Sequence, residues 1–446
     1  MNATNPHFDY DVVVLGAGAA GLMAAARGAE SGARVLLAEK NRRPGVKILM
    51  SGGTRCNITN ARGLRRLDVV SGPIDPAYDR AESRGIRAIQ QAFGANGAFL
   101  VPALRRFDVD ATVRMFEDAG VTTKVEGNGK IFPVSDRALD VLGALLRRLE
   151  RSGASLRCLS PVLGIDRLEA ESAQESGFAV RLPDATVTAR RVIVAVGGAS
   201  YPGCGTTGDG YTLARRFGHA IVEPRPALVP LRVAASWVPG LKGLSLPDVI
   251  ASVHSAGNEV LAQRREAVLF AHFGLSGPAI LDVSRAAGRR CESEPLALRL
   301  DLVPALSREE LDHRLQRSCR QGRRAVVTLL PDALPRRLAE CLVPAAAIPL
   351  DRLGPDLSRD ERRQLVATLK GLALPISGTL GFEKAEVTSG GVALDQIDPR
   401  TLESRLVPGL HFAGEILDLD GLIGGYNFQA AWSTGWLAGE SAALKR

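Results

Sequence analysis

Residues 10–40 read YDVVVLGAGAAGLMAAARGAESGARVLLAEK. An apolar β-rich run, Val12 to Leu15, leads into Gly16-x-Gly18-x-x-Gly21. An alanine-rich helix follows, and a second apolar run from Arg34 to Ala38 ends at Glu39. The order is strand, tight turn, helix, strand. Gly16 permits the turn, Gly18 lets a pyrophosphate approach the backbone at the helix N-terminus, and Gly21 lets the helix pack on the sheet. Glu39 stands about 20 residues beyond the glycines, where a carboxylate accepts hydrogen bonds from both hydroxyls of an adenosine ribose. An acid there repels a 2′-phosphate, so the pattern points to FAD or NAD rather than NADP at this site. The flanking strands and the terminal acid make the signal far more specific than GxGxxG alone.

A chain of 446 residues exceeds one ordinary core, so two or three domains are expected. The uncharged run from Val12 to Ala26 is too short and too glycine-rich for a membrane span, and it follows Asp9 and Asp11 rather than a basic segment. The six cysteines, at 56, 158, 204, 291, 319 and 341, form no CxxC pair and no zinc spacing, so no metal site is expected. Reduced thiols and a cytoplasmic location are the economical reading. The balance of 56 Lys+Arg against 48 Asp+Glu gives +8, which favours a polyanionic partner only modestly. The most local basic feature is SREELDHRLQRSCRQGRRAV, where Arg314, Arg317 and Arg320 fall at helical spacing on one face.

Downstream, the stretch KILMSGGTRCNITN joins an apolar run to Gly52, Gly53, Arg55 and an isolated thiol, Cys56, in what reads as a loop after the second strand. A polar connector spans Ala61 to about Arg87. In VSDRALDVLGALLRRLERSG, Ser135 or Asp136 is the expected cap. Apolar positions 138, 142, 145 and 149, with 139 and 146 beside them, form a buried face, and Gly153 ends the helix. A hairpin is expected across Pro183-Asp184, followed by a buried strand, Val192 to Val196, that returns to the first sheet.

From about Pro202 to Arg405 the texture changes to short alternating runs, such as DVIASVH and PLALRLDLV, and then to charged helical segments from Ser307 to about Lys370. This predicts an α/β protein. Its dinucleotide-binding domain (1–201 and 406–446) is interrupted by a β-rich insert (202–405) carrying a helical subdomain at about 304–370. At the end of the chain, a strand from Leu410 to Ala413 leads to Gly414-Glu415, and Gly424-Gly425 opens a last helix. A second glycine-rich helix start offers backbone N–H groups and partial positive charge, which would stabilise the anionic edge of a reduced flavin. No second GxGxxG with its own strand and acid appears in the insert, so one dinucleotide site is expected.

These motifs resemble the BaiN/RdsA family of NAD(P)/FAD-dependent, aminoacetone-oxidase-like oxidoreductases. The likeness is carried by LGAGAAGLMAA, KILMSGGTRCNIT, GKIFPVSDRALDVL, VGGASYPGCGTTGDGYTLARRFGH, LKGLSLPDV, LFAHFGLSGPAIL, AEVTSGGV and GLHFAGEILDLDGLIGGYNFQAAWSTGWLAG, and it runs over nearly the whole chain. The resemblance implies a Rossmann-like FAD-binding domain interrupted by a β-barrel-like insert and a small helical domain. It implies that Gly16, Gly18, Ala19, Ala20 and Gly21 hold the pyrophosphate, and Glu39 with Lys40 the ribose end. Lys47, Ser51, Gly52, Gly53, Arg55, Cys56 and Asn57 would line the middle and flavin end. Val162 would offer backbone to adenine, Gly197 would close on the adenosine side, and Gly414, Glu415, Gly424, Gly425, Tyr426 and Asn427 would reach the ribityl and isoalloxazine. Two positions depart from the family pattern. Thr54 stands where many relatives have a third glycine, and Cys204 lies in a loop where relatives commonly have none.

The implied reaction is reduction of a conjugated C=C bond, with NADH or NADPH as a transient reductant of FAD. Two substrate classes follow. One is a uridine in 23S ribosomal RNA, giving dihydrouridine and drawing on a basic insert surface. The other is a small molecule: an enone, a steroid-like 4-en-3-one, or an amine. The protein must then orient the acceptor and donate a proton. Cys56 and Tyr426 are the first candidates for donor, with Tyr201 and His272 beside them, and Cys56 has the competing reading of a small packing residue.

Overall fold

A computed structural model of the protein describes residues 8–82, 84–168, 176–290 and 294–444. The chain forms two compact units, one of residues 1–224 and 387–446 and one of residues 225–386.

The first unit is built on a seven-stranded sheet in the order Ser155–Arg157, Val35–Ala38, Tyr10–Leu15, Thr186–Val194, Gly177–Arg181, Gly164–Leu168. Leu410–Phe412 also pairs with Thr186–Val194. The strand at 186–194 serves two partners along one edge. Its first half pairs antiparallel with Gly177–Arg181, forming the hairpin expected across Pro183-Asp184, and its second half pairs parallel with Leu410–Phe412. On the other edge it runs parallel to Tyr10–Leu15, so the strand does return to the first sheet. Parallel strands are covered on both faces, which is why Val12–Leu15 and Val35–Ala38 are uninterrupted apolar runs and fully buried.

The helix Ala19–Glu30 lies against the C-terminal helix Tyr426–Ala443 at very short range. A side chain at Gly435 or Gly439 would overlap the backbone carbonyls of Ala20 and Ala24. The helix Ala138–Ser152 ends at Gly153 in a left-handed conformation, as expected. It starts later than expected, however. Arg137 is its N-cap and makes no side-chain cap, while Asp136, at φ 53°, is outside the helix, with its carboxylate accepting from Lys124. Val141 and Ala144 join the buried face and Leu139 is 55% exposed, so the buried arc is rotated away from Leu139 relative to the expected one. The segment after the second strand is also not simply a loop. Val46–Thr54 begins as a helix and breaks at Ser51, where ψ is 151°.

The second unit contains a closed barrel of strands Leu231–Val233, Gly274–Ser276, Val260–Ala271, Ser245–His254, Leu296–Asp301 and Leu372–Thr379. Three helices, Arg308–Arg320, Arg336–Ala345 and Arg359–Leu369, share its apolar cluster. Ser307 with Glu310 and Ser358 with Glu361 form capping boxes that start two of these helices. The Arg362–Asp312 pair at 2.7 Å links the same two. The units change over at 224/225 and 386/387, inside the expected 202–405 span. Tyr211 and Ala214 of the helix Asp209–Arg216 share an apolar cluster with Val194 and Phe412, which holds that helix in the first unit. The change of texture at Pro202 thus marks a loop rather than a domain exit. Among the described residues, no helix is long and apolar enough to cross a membrane.

Replacing Gly435 by valine is expected to lower the unfolding free energy by about 1–3 kcal/mol through overpacking at the helix crossing. Urea denaturation followed by circular dichroism reads this directly, and an unchanged midpoint would show that the crossing tolerates a wider separation.

Candidate functional site

The three glycines of the first turn do three different things. Gly16 is held at φ +89°, and a Cβ there would lie 2.8 Å from the carbonyl of Ala195. A Cβ at Gly21 would overlap the carbonyl of Gly16, so the helix packs directly on the turn. A Cβ at Gly18 would meet nothing within 4 Å. Gly18 is the N-cap of Ala19–Glu30 and supplies no side-chain cap, nor is there an acid in the first turn. The orphan N–H groups of Ala19, Ala20 and Gly21 therefore border open space at the positive end of a helix, an arrangement that suits an anion.

Glu39 is buried at the end of the second strand. Its carboxylate accepts from the N–H of Ala17 at 2.7 Å and from the N–H of Asn41 at 2.7 Å. Each oxygen retains a lone pair for a hydroxyl donor. Lys40 instead donates to Thr207 Oγ1 at 3.0 Å and Asp209 Oδ2 at 2.8 Å, so its ammonium is engaged by a neighbouring turn rather than free for a phosphate. Val162 is half-buried at the edge of the apolar cluster of this sheet. Gly197 (φ +79°) and Gly414 (φ +77°) stand just beyond the ends of Thr186–Val194 and Leu410–Phe412.

A polar network occupies the centre. Lys47 donates to Ser200 Oγ at 2.6 Å and to Glu415 Oε2 at 2.7 Å. Ser200 Oγ donates to Glu415 Oε1 at 2.6 Å, and the N–H of Thr388 reaches the same oxygen at 2.9 Å. Thr388 Oγ1 in turn accepts from the N–H groups of Ala199 and Ser200 at 2.8 and 3.0 Å. Four segments far apart in the chain thus fix one carboxylate. The sequence pointed to Lys47 and Glu415 but not to Ser200 or Thr388, whose only signal was their place in GGASYPG and VTSGG.

The loop of residues 51–57 is folded by left-handed backbone. Gly52, Gly53, Thr54 and Cys56 have φ of 56°, 68°, 69° and 61°. Thr54, at the position where the resemblance implies a third glycine, holds the left-handed φ that glycine adopts without strain. Ser51 Oγ donates to the carbonyl of Ile48 at 2.8 Å, anchoring the break in the helix. Arg55 lies 3.9 Å over the ring of Phe132 and donates to Glu126 Oε1 at 2.6 Å, so it pins the loop. Asn57 is 9% exposed, and its side-chain oxygen is buried with no hydrogen-bond partner. Such an orphaned acceptor is costly unless a ligand supplies a donor.

The end of the chain closes over this loop. Trp432 Nε1 donates to the carbonyl of Ile58 at 2.9 Å, Thr59 Oγ1 donates to Gln429 Oε1 at 2.6 Å, and Asn60 Nδ2 donates to the carbonyl of Gly424 at 2.9 Å. Gly425, at φ 93°, is the uncapped N-cap of the last helix, and a Cβ there would overlap the carbonyl of Thr59. Asn427 clamps the preceding turn, accepting from the N–H of Gly421 at 2.8 Å and donating to its carbonyl at 3.1 Å.

The candidate donors separate. Cys56 has no exposed surface and belongs to the apolar cluster that also holds Val12, Val14, Ile48 and Trp432, and burial pushes its thiol up to about 12. A proton donor must touch its substrate, so full burial favours the packing reading of Cys56 over the donor role. Tyr426 is 3% exposed in the main apolar cluster, which disfavours a donor role for the same reason. Tyr201 is half-buried in a left-handed conformation (φ 57°) directly after Ser200. His272 lies in the second unit, with its ring edge-on to Phe273.

An open cradle at Gly18 and an unsatisfied acceptor at Asn57 fit a dinucleotide laid from the first helix toward the 51–57 loop. The family profile described as HI0933-like protein Rossmann domain matches residues 10–70 and 81–441. The chain belongs to this family. It is the BaiN/RdsA oxidoreductase family indicated by the motifs, and membership makes the chain an FAD-dependent oxidoreductase. Among curated proteins it is 34% identical over 431 residues to the ribosomal RNA dihydrouridine synthase of Escherichia coli, covering 96% of both chains. It is 31% identical to the enzyme of the same name from Haemophilus influenzae, covering 95% of this chain and 96% of that one. It is equally 31% identical to the 3-dehydro-bile acid delta(4,6)-reductase of Clostridium scindens, covering 96% and 98%. Relatives of both names therefore align over nearly this entire chain.

Two outcomes are expected. In Gly18→Val the purified protein should retain its melting temperature but lose bound flavin, read from the absorbance spectrum, whereas Gly21→Val should fold poorly because its Cβ meets backbone. At Cys56, alanine should leave flavin content and turnover within about twofold of wild type, and native protein should resist thiol alkylation at this position. A tenfold loss of turnover at full flavin content would return Cys56 to the chemistry.

Proposed function

We propose that the chain is an FAD-dependent, NAD(P)H-consuming cytoplasmic reductase that converts a uridine of 23S ribosomal RNA to dihydrouridine. Two of the three relatives above are named ribosomal RNA dihydrouridine synthase. The observation that carries the reading in this chain is the arginine ridge of the insert. Arg314, Arg317 and Arg320 are all exposed along Arg308–Arg320, with Arg323 and Arg324 exposed just beyond. Of the first three, Arg314 has a carboxylate partner, Asp332, at 3.5 Å. A ridge of solvated guanidinium groups suits a phosphate backbone, which a small neutral enone does not offer.

In this reading Gly16, Gly18, Ala19, Ala20 and Gly21 hold the pyrophosphate, Glu39 the ribose, and Asn57 and the 424–427 helix start the flavin ring. When bound, FAD supplies the hydride for an electron-poor carbon. Lys47 and Ser200 fix the Glu415 carboxylate, keeping a preorganised polar wall at that place. Tyr201 carries the proton donor's role: of the candidates in the FAD-binding unit it has a side chain that is not buried, and its phenol O–H is a donor.

Tyr201→Phe is expected to lower turnover about 10²-fold or more while flavin content stays at wild type. Binding of 23S fragments should weaken steeply with salt, and Arg317→Ala with Arg320→Ala should reduce the slope of log K against log salt by about 2. The deciding experiment is dihydrouridine mapping of 23S RNA in a deletion strain and in its complement. Loss and recovery of a dihydrouridine supports the reading. Unchanged RNA, together with rapid turnover of a steroid-like 4-en-3-one by the purified protein, replaces it with the small-molecule reductase.

A further inference from the structure

The insert contains a cavity of about 560 Å³ at the seam of its barrel. The strand Leu372–Thr379 pairs with Leu231–Val233 only from Ile376 onward, and the last bond across the seam runs from the N–H of Ala234 to the carbonyl of Pro375. Pro375 has no N–H to return, so the ladder stops and the chain diverges through Ser236 and Trp237. Gln364 and Thr368 of the helix Arg359–Leu369, one turn apart, form the facing wall.

The lining suits one kind of occupant. Trp237 is half-buried, tilted against Phe270 at 6.5 Å between ring centroids, and contributes to the cavity wall. Among the described residues, the side chains of Ser236, Gln364 and Thr368 make no hydrogen bond. No charged side chain lines the cavity, but cations flank the turn that follows Trp237. Arg337 donates to the carbonyl of Gly240 at 2.6 Å, and Lys242 is exposed two residues on. A flat aromatic surface, amide and hydroxyl groups with no protein partner among the described residues, and cations beside the turn that follows Trp237 match an unpaired nucleobase with its phosphate. The volume lies in the range of ordinary ligand sites.

We propose that this seam binds a base of single-stranded RNA flanking the target uridine, stacked on Trp237 and hydrogen-bonded by Gln364, with the adjoining phosphate at Arg337 and Lys242. The inference rests on the RNA reading above. It adds an anchoring site in the insert, separate from the FAD site.

The test uses full-length, FAD-loaded protein and three probes: a single-stranded oligouridylate of about 12 nucleotides, an RNA duplex of equal length, and NADPH. Trp432 is buried and Trp436 stacks on Phe107, so the difference between wild type and Trp237→Phe isolates the emission of Trp237. The oligouridylate is expected to quench that emission and the duplex and NADPH are not. Its affinity should fall about tenfold in Trp237→Ala and about threefold in Gln364→Ala, and stay within about threefold of wild type in Trp237→Phe. Flavin content should be unchanged in all three. If wild type binds RNA and both alanine variants bind it equally well, the seam has no such role while the RNA reading stands. If wild type binds no RNA, the RNA reading fails and this site with it. Quenching by NADPH alone would make the seam a pyridine-nucleotide site and overturn the proposal. Gln364 is exposed, so its variant decides the matter should Trp237→Ala fail to fold.

Discussion

The contact between the first helix and the last is the constraint on which the site depends. Gly435 and Gly439 lie directly on the carbonyls of Ala20 and Ala24, with no room for a side chain between them. Small residues on facing helices let backbones approach and gather dispersion contacts over a long crossing. Because the first helix is also locked to its turn by Gly21 on Gly16, this crossing fixes both helix starts together. The uncapped N–H groups after Gly18 and those after Gly425 come from opposite ends of the sequence, and one packing decision places them in the same unit.

The second requirement is electrostatic. Lys47 and Glu415 are only partly exposed, and a charge left alone there would be expensive. Each has its opposite at 2.7 Å, and Ser200 and the Thr388 N–H occupy further lone pairs of the carboxylate. The network is therefore satisfied before any ligand arrives. The oxygen of Asn57 is different, being buried and unsatisfied. An acceptor left open beside a loop of left-handed backbone is a place for a donor from outside the chain.

The insert is organised by other means. Its barrel and helices share one apolar cluster, while the arginines of Arg308–Arg320 point away from it. Leu311, Leu315 and Cys319 make the buried stripe of that helix, which leaves Arg314, Arg317 and Arg320 on the opposite arc. Their exposure thus follows from the same periodicity that buries the leucines.

Sequence alone determined whatever depends on neighbours along the chain. The tight turn at Gly16, the open helix start at Gly18, the close packing at Gly21, the place of Glu39 at the end of the second strand, the hairpin at Pro183-Asp184 and the stop at Gly153 were legible because each follows from backbone conformation or a fixed local spacing. The motifs carried the family and the Rossmann-like fold with its inserted barrel. Tertiary structure decided what depends on which surfaces meet. It exposed Leu139 although the helical pattern included it, and it started that helix at Ala138 rather than at a cap on Ser135 or Asp136. It moved the helix Asp209–Arg216 into the first unit. It joined Ser200 and Thr388 to Lys47 and Glu415, a meeting of four segments that no local signal encodes. It also placed Cys56 in the core: the glycines beside it marked a turn, but its burial in the apolar cluster that holds Val12, Ile48 and Trp432 is a property of the folded chain.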